Sequence, residues 1–314
     1  MIASLHPQMI AVIEKNTEHG PAPAPSVETV GEMRSHYLKS RKFWNEEVPD
    51  MAMVEDFSVR APAGDIQVRL YKPSTKADLP LLLFCHGGGF VYGNLDSHDN
   101  FCRQLASRSG WAVLAIDYHL APEHKFPTPL ADVRATIDWL DGKAYELGLD
   151  LSVVAAGGDS AGAAIMIGTA MDLRQSHPSF LKQLVLIYGN YGLGDDCNSM
   201  RLYGGRAFGL GAELRAFFRG SYIARQEDRD DPRVAVLQSD LAGLPPVALL
   251  AAEMDPLHDN SPALAKKLEA AGVPVVCHSY PGVLHGFMHY TRFCDVSVAA
   301  HKDAAAALRK ISAP

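Results

Sequence analysis

The chain has 314 residues, 47% hydrophobic and 21% charged, which is enough for one large α/β domain or two ordinary ones with a sizeable core. Its 36 acidic and 29 basic residues give a formal net charge of -7. No run of Lys and Arg occurs, which argues against a nucleic-acid binder.

The first residues, MIASLHPQMIAVIEKN, lack a basic start followed by a long apolar stretch, so no signal peptide is read. No apolar run reaches the ~18 residues that a membrane span needs. Five cysteines, none spaced as CxxC, argue against a disulfide framework or a zinc site. Reduced thiols fit a cytosol, so the chain is expected to be soluble and cytoplasmic. Cys85 and Cys277 sit in apolar runs and are expected to pack.

In chain order, residues 1–20 carry Met9, Ile10, Val12 and Ile13 at helical spacing, and PAPAPS at 21–26 then forms a stiff break. A second helical stretch at 27–47 carries Val30, Met33, Tyr37, Leu38 and Trp44. Strands are expected at 54–60, 66–71, 79–85, 111–117, 151–156, 181–187, 246–252 and 273–280. The first two alternate apolar and polar residues around the turn signal PAGD, as an antiparallel hairpin would. LLLF, AVLAI and VALLAA are continuous apolar runs, as in parallel strands buried on both faces.

Helices are expected at 100–109, 131–147, 161–174, 261–271 and 296–311, with Gly110 and Gly272 placed as C-terminal caps. Strands alternating with helices predict an α/β fold with an eight-stranded, mostly parallel sheet and helices on both faces. Residues 188–240, rich in Gly, Asp, Arg and aromatics, break this rhythm and read as a cap insertion. The expected division is N-terminal cap helices at 1–50, a catalytic core at 51–187 and 241–314, and the insertion between.

Gly158-Asp159-Ser160-Ala161-Gly162 matches G-x-S-x-G and stands between the strand LSVVAA and a helical run. That is the setting of a nucleophile elbow, whose tight turn needs small flanking residues. A serine hydroxyl needs an imidazole base and a carboxylate to orient it. Asp255 and His285 each follow a strand, in the order Ser, acid, His. Glu253 and Asp259 are the competing acids; Glu253 is placed to bond the loop and Asp259 to cap the next helix. Among 13 histidines, His278 and His289 are given packing or surface roles. His285 and His289 are four residues apart, a metal-ligand spacing, but no HExxH accompanies them and no metal is expected. His86-Gly87-Gly88-Gly89-Phe90 follows a buried strand and offers backbone N–H groups to an oxyanion. It lacks the Lys-Ser/Thr of a phosphate loop.

HGGGF at 86–90, DYHLAPE at 117–123, GDSAG at 158–162, DPLHD at 255–259 and HGF at 285–287 come in one order. Together they resemble the hormone-sensitive lipase family of esterases, bacterial family IV, over about residues 80 to 290. The resemblance implies the α/β-hydrolase fold, hydrolysis of small to medium, short-acyl carboxylic esters, and a triad of Ser160, Asp255 and His285. It implies oxyanion donors at Gly88, Gly89 and Ala161, and structural roles for Asp117 and Glu123. His86, Gly87, Phe90, Tyr188, Phe208 and Phe287 are expected to face substrate.

Three departures stand out: His119 where the family has Arg, Ala163-Ala164 after GDSAG, and Tyr188-Gly189-Asn190 in place of Ser-Pro. The first two are expected to alter packing only and the third to alter the pocket mouth. An amidase on the same triad, and a non-catalytic small-molecule receptor, are the competing readings. No cofactor is implied, and the expected partners are a small-molecule ester and a second copy of the chain through an edge strand.

Overall fold

The computed structural model describes residues 4–311, so the beginning of the helical stretch expected at 1–20 lies outside them. Eight strands form one sheet: β1 (Met53–Ala61), β2 (Gly64–Lys72), β3 (Leu79–Cys85), β4 (Ala112–Asp117), β5 (Leu149–Asp159), β6 (Leu181–Ile187), β7 (Val247–Met254) and β8 (Val275–Leu284). Their order is β1-β2-β4-β3-β5-β6-β7-β8. β2 runs antiparallel to both β1 and β4, and every later pairing is parallel. The PAGD segment closes the hairpin, with Ala61 opposite Gly64.

The strand period of two decides the layers. Along β3, Leu81, Leu83 and Cys85 enter one apolar cluster, while Leu82 and Phe84 enter the other. α4 (Thr128–Asp141), α6 (Ala161–Ser176) and α9 (Asn260–Ala270) cover the first face, through Val133, Ile165 and Leu268 among others. α3 (Asp99–Ser109) and α10 (Asp295–Arg309) cover the second, through Phe101, Leu105, Ala304 and Leu308. At about 25 cal/mol per Å² of apolar surface, burying both faces is the main stabilising term of the fold.

The helix expected at 131–147 is two helices. α4 begins earlier, with Pro129 as its second residue, and ends at Asp141 before the cap residue Gly142, and α5 (Ala144–Leu147) follows. Gly110 is the left-handed cap of α3, at φ 77°, the conformation glycine adopts without a Cβ clash. Cys277 does not pack as expected. It is exposed on β8, because β8 is an edge strand and its residues at 276–279 face outward. All five cysteines are free.

The N-terminal layer is α1 (Pro7–Thr17) and α2 (Val30–Lys42), followed by a short helical turn carrying Trp44. Trp44 is fully buried against Tyr290 and Phe293, and its indole N–H donates to Asn16 Oδ1 at 2.9 Å. Arg34 of α2 forks onto Glu123 at 2.7 and 2.9 Å and donates to the carbonyls of Val91 and Ala121. Glu123 therefore ties α2 to the loop after β4. Between β6 and β7 lie α7 (Asn198–Tyr203) and α8 (Ala212–Tyr222). α8 lays Phe218 against Gly89 and stacks Tyr222 on Phe90 at 3.7 Å, so this segment covers the strand ends next to the glycine loop.

Candidate active site

β5 runs three residues further than the expected 151–156 and delivers Asp159 directly to the turn. Ser160 has φ 53° and ψ -114°, and α6 starts at Ala161. A non-glycine residue held at positive φ is strained, and such strain collects at functional sites. The flanking glycines are sterically required. A Cβ on Gly162 would meet the Cys85 carbonyl oxygen at 1.9 Å, and one on Gly158 would meet it at 2.6 Å. The end of β3 therefore packs directly against the turn.

β8 also runs further than expected. Gly282 (φ 66°) makes an irregularity, after which Met254 pairs with Leu284. Glu253 holds this bend by accepting the Gly282 N–H at 2.7 Å. The next residue, His285, is thereby aimed at Ser160. Its Nε2 accepts from Ser160 Oγ at 2.8 Å, and its Nδ1 donates to Asp255 Oδ2 at 2.6 Å. Asp255 is fully buried and accepts the Leu257 N–H on its other oxygen at 2.8 Å. Burial alone pulls the His285 pKa down, but the charge and hydrogen bond of Asp255 outweigh it and hold the imidazole above its ordinary 6.5. Asp259 stands at the start of α9 without capping it; its carboxylate accepts the Ser199 N–H at 2.8 Å instead.

The glycine loop turns with successive positive φ values at Gly88 (121°), Gly89 (62°) and Phe90 (66°). A Cβ on Gly88 would lie 2.0 Å from the Tyr92 carbonyl oxygen. The N–H groups of Gly88 and Gly89 have no acceptor among the described residues. That of Ala161 begins a helix and has no partner four residues back. These three residues line the same cavity as Ser160 and His285, of about 460 Å³.

Asp159 holds the loop in place. Its buried carboxylate accepts the Gly87 N–H at 2.7 Å and lies 3.2 Å from His98 Nε2 and 3.8 Å from His289 Nε2. Burial would raise its pKa, but His98, the Gly87 N–H and His86 bring it below the ordinary value. Burial pulls the His98 pKa down against the opposing pull of Asp159, and pushes that of His289 well below 6.5. These three side chains are the group among the described residues close enough to hold a metal ion.

Of the residues expected to face substrate, Phe90 lines the cavity and five do not. His86 is buried under the loop, stacked on Tyr118 at 4.4 Å, with Nδ1 against the Gly87 carbonyl at 2.8 Å. Gly87 has its N–H turned to Asp159. Tyr188 is buried behind His285, with ring centroids 5.0 Å apart, and Phe287 packs on Tyr280 at 5.3 Å. Phe208 packs on Tyr203, outside the cavity, while its neighbours Gly209 and Leu210 line it.

His119 bonds Asp132 through Nδ1 at 3.0 Å, which accounts for its place in the loop. Ala163 is buried, but Ala164 lines the cavity, so that departure reaches beyond packing; Asn190 lines it too. Sequence reasoning missed Tyr37, Arg41, Tyr92 and Tyr290, all lining residues. The i, i+4 spacing of Tyr37 and Arg41 puts them on one helix face, but nothing in it says which face meets the cavity.

A family model described as the alpha/beta hydrolase fold matches residues 82–289. Curated acetyl esterases from Salmonella schwarzengrund and Salmonella typhi are 35% identical over 308 residues, covering 97% of this chain and 94% of theirs. A hyperthermophilic esterase from the archaeon Pyrobaculum calidifontis superposes with a TM-score of 0.92 at 32% identity, over 98% of this chain and 99% of its own. A thermophilic carboxylesterase cloned from a metagenomic library gives 0.87 at 34% identity, over 91% of this chain and 98% of its own.

Proposed function

The chain belongs to the alpha/beta hydrolase fold family as a serine carboxylesterase of the hormone-sensitive lipase type, and on that premise we propose that Ser160, His285 and Asp255 carry out the hydrolysis. The observation that carries this reading is the single imidazole bridging a strained serine at 2.8 Å and a buried carboxylate at 2.6 Å. Ser160 Oγ attacks the ester carbonyl while His285 Nε2 takes its proton. The carbonyl oxygen, now an anion, is met by the unpartnered N–H groups of Gly88 and Gly89 and by that of Ala161. His285 passes its proton to the departing alcohol, leaving an acyl-enzyme, and water repeats the cycle. Asp255 fixes the tautomer in which Nδ1 carries the hydrogen.

Small to medium, short-acyl esters are the proposed substrates, supported by the acetyl esterases among the relatives and by the partly aromatic cavity. Residues 1–50 and 188–240 are proposed as the cap and the remainder as the catalytic core. Five free cysteines fit a reducing compartment, and the cytoplasm is the proposed location.

Ser160→Ala is expected to lose activity on an activated acetate ester by roughly 10³-fold or more, and to lose labelling by a fluorophosphonate. Wild-type turnover in that variant, with melting unchanged, refutes the assignment. A wild-type protein that folds but neither turns over the ester nor labels at Ser160 favours the receptor reading.

A further inference from the structure

The cavity that holds Ser160 and His285 has an unbalanced charge. Its acidic lining residues are Asp159 and Asp195, whereas five arginines line it. Most of these cations are engaged. Arg219 pairs with Asp195 at 2.9 Å, Arg233 pairs with Asp231 at 2.8 Å, and Arg215 donates to the Leu210 carbonyl at 2.6 Å. Arg229 is exposed.

Arg215 makes no ion pair with a described residue and leaves its Nε buried without an acceptor, but two backbone carbonyls, those of Gly204 and Leu210, hold its Nη1. Arg41, on the last turn of α2, has no such backbone acceptor among the described residues. It is half-buried, makes no ion pair with any described residue, and leaves its Nε buried without an acceptor. Its guanidinium sits between two aromatic faces, 4.6 Å from the Tyr37 ring and 5.6 Å from the Tyr290 ring. The one hydrogen bond with near-normal geometry is Nη1 to the Tyr290 hydroxyl, at 3.3 Å.

The surroundings of Arg41 are rich in donors and short of acceptors. The Tyr290 hydroxyl already accepts from Asn16 Nδ2 at 3.3 Å as well as from Arg41, and its own hydrogen has no acceptor among the described residues. Tyr37 and Tyr92 also line the cavity, and their hydroxyls donate to no described acceptor. Burial pushes both phenols above their ordinary pKa, so they stay protonated. Asp159 does not supply the missing anion, because its carboxylate is engaged by the Gly87 N–H and His98. Arg41 lines the same cavity as Ser160 and His285.

A guanidinium fenced by phenol hydroxyls, unpaired within a cavity, is a site for a carboxylate. We propose that this esterase prefers esters that themselves carry an anionic group, with Arg41 and the tyrosine hydroxyls receiving the anion while Ser160 meets the ester carbonyl. The inference rests on the esterase reading and narrows its substrate class. The competing role for Arg41 is general charge balance for Asp159, which predicts no discrimination between substrates.

The test compares matched pairs of esters. 4-Nitrophenyl hemiglutarate against 4-nitrophenyl pentanoate places the charge on the acyl side. Acetoxyacetate against 2-methylpropyl acetate, a single ester of similar shape, followed by proton release, places it on the alcohol side. In at least one pair, kcat/KM for the anionic ester should exceed that for the neutral one by about tenfold or more, and the excess should shrink with added salt. Arg41→Met should lower that ratio by about tenfold, chiefly through KM of the anionic ester, and Arg41→Lys should retain most of it.

The pair that shows the effect identifies the side of the ester that carries the anion. A wild-type ratio at or below one in both pairs overturns the proposal, as does an Arg41→Met variant that loses activity on both partners equally. Failure of the esterase reading looks different: no member of either pair is turned over, or Ser160→Ala turns them over at the wild-type rate.

Discussion

His285 is held between two opposing influences, and the balance makes a pH prediction. Catalysis needs the neutral imidazole, so kcat/KM should rise with pH and reach half its plateau above 6.5, because Asp255 holds the pKa up against burial. Asp255→Asn removes the main raising influence and leaves burial opposed by the more weakly acting Asp159. The half-rise should then move to lower pH while the plateau falls by roughly 10²- to 10⁴-fold, through loss of the correct tautomer. A pH–rate profile of both proteins on a neutral ester checks this. A half-rise at the same pH in both would mean that Asp255 is not the group facing the imidazole. The sequence nominated this acid by its place after β7 and left Glu253 and Asp259 open. Each of the three has its own partner: Glu253 braces the bend in β8, Asp259 holds Ser199, and Asp255 faces His285.

At the scale of elements, the site is made by where strands stop. β5 ends at Asp159 and β8 at Leu284, so the serine and the histidine are each the first residue beyond a strand. The glycines of the turn let α6 start without colliding with the end of β3. Gly162→Ala brings a methyl group to 1.9 Å from the Cys85 carbonyl oxygen, a contact with backbone rather than with a side chain that can rotate away. The expected cost is about 1–3 kcal/mol of stability or more, together with loss of activity as the turn opens. Thermal melting and ester turnover measure the two effects. Unchanged melting would show that β3 and α6 can part without penalty. The sequence motif named these glycines, but the clash that explains them needs a third element, β3, about 75 residues upstream.

For the whole molecule, the two sheet edges are unlike. β1 is the outer strand of a hairpin, whereas β8 ends the parallel series with exposed Val276, Cys277, His278 and Ser279. An uncovered edge carries unpaired backbone groups and is a template for pairing. Two copies joined through β8 are the proposed assembly. Sedimentation equilibrium should then show a two-chain species, and Val276→Lys should shift it towards single chains without affecting the melting of the separated chain. A single-chain species for the wild type at every concentration tested rules the assembly out.

The fold was legible because it rests on local patterns. Continuous apolar runs marked the buried parallel strands, alternation marked the β1–β2 hairpin, and Gly-x-Ser-x-Gly between a strand and a helix marked the turn. Periodicity and turn chemistry act over a few residues, so one chain suffices to read them. The lining of the cavity was not legible in the same way. Phe208 and Phe287 look like pocket residues in sequence yet pack elsewhere, while Tyr37, Arg41 and Tyr290 meet only because α2 folds back across the sheet to lie beside the loop after β8. Which face of a helix meets a cavity, and which cation lies there without a carboxylate, depends on contacts between segments some 250 residues apart. Only the packed chain decides such contacts.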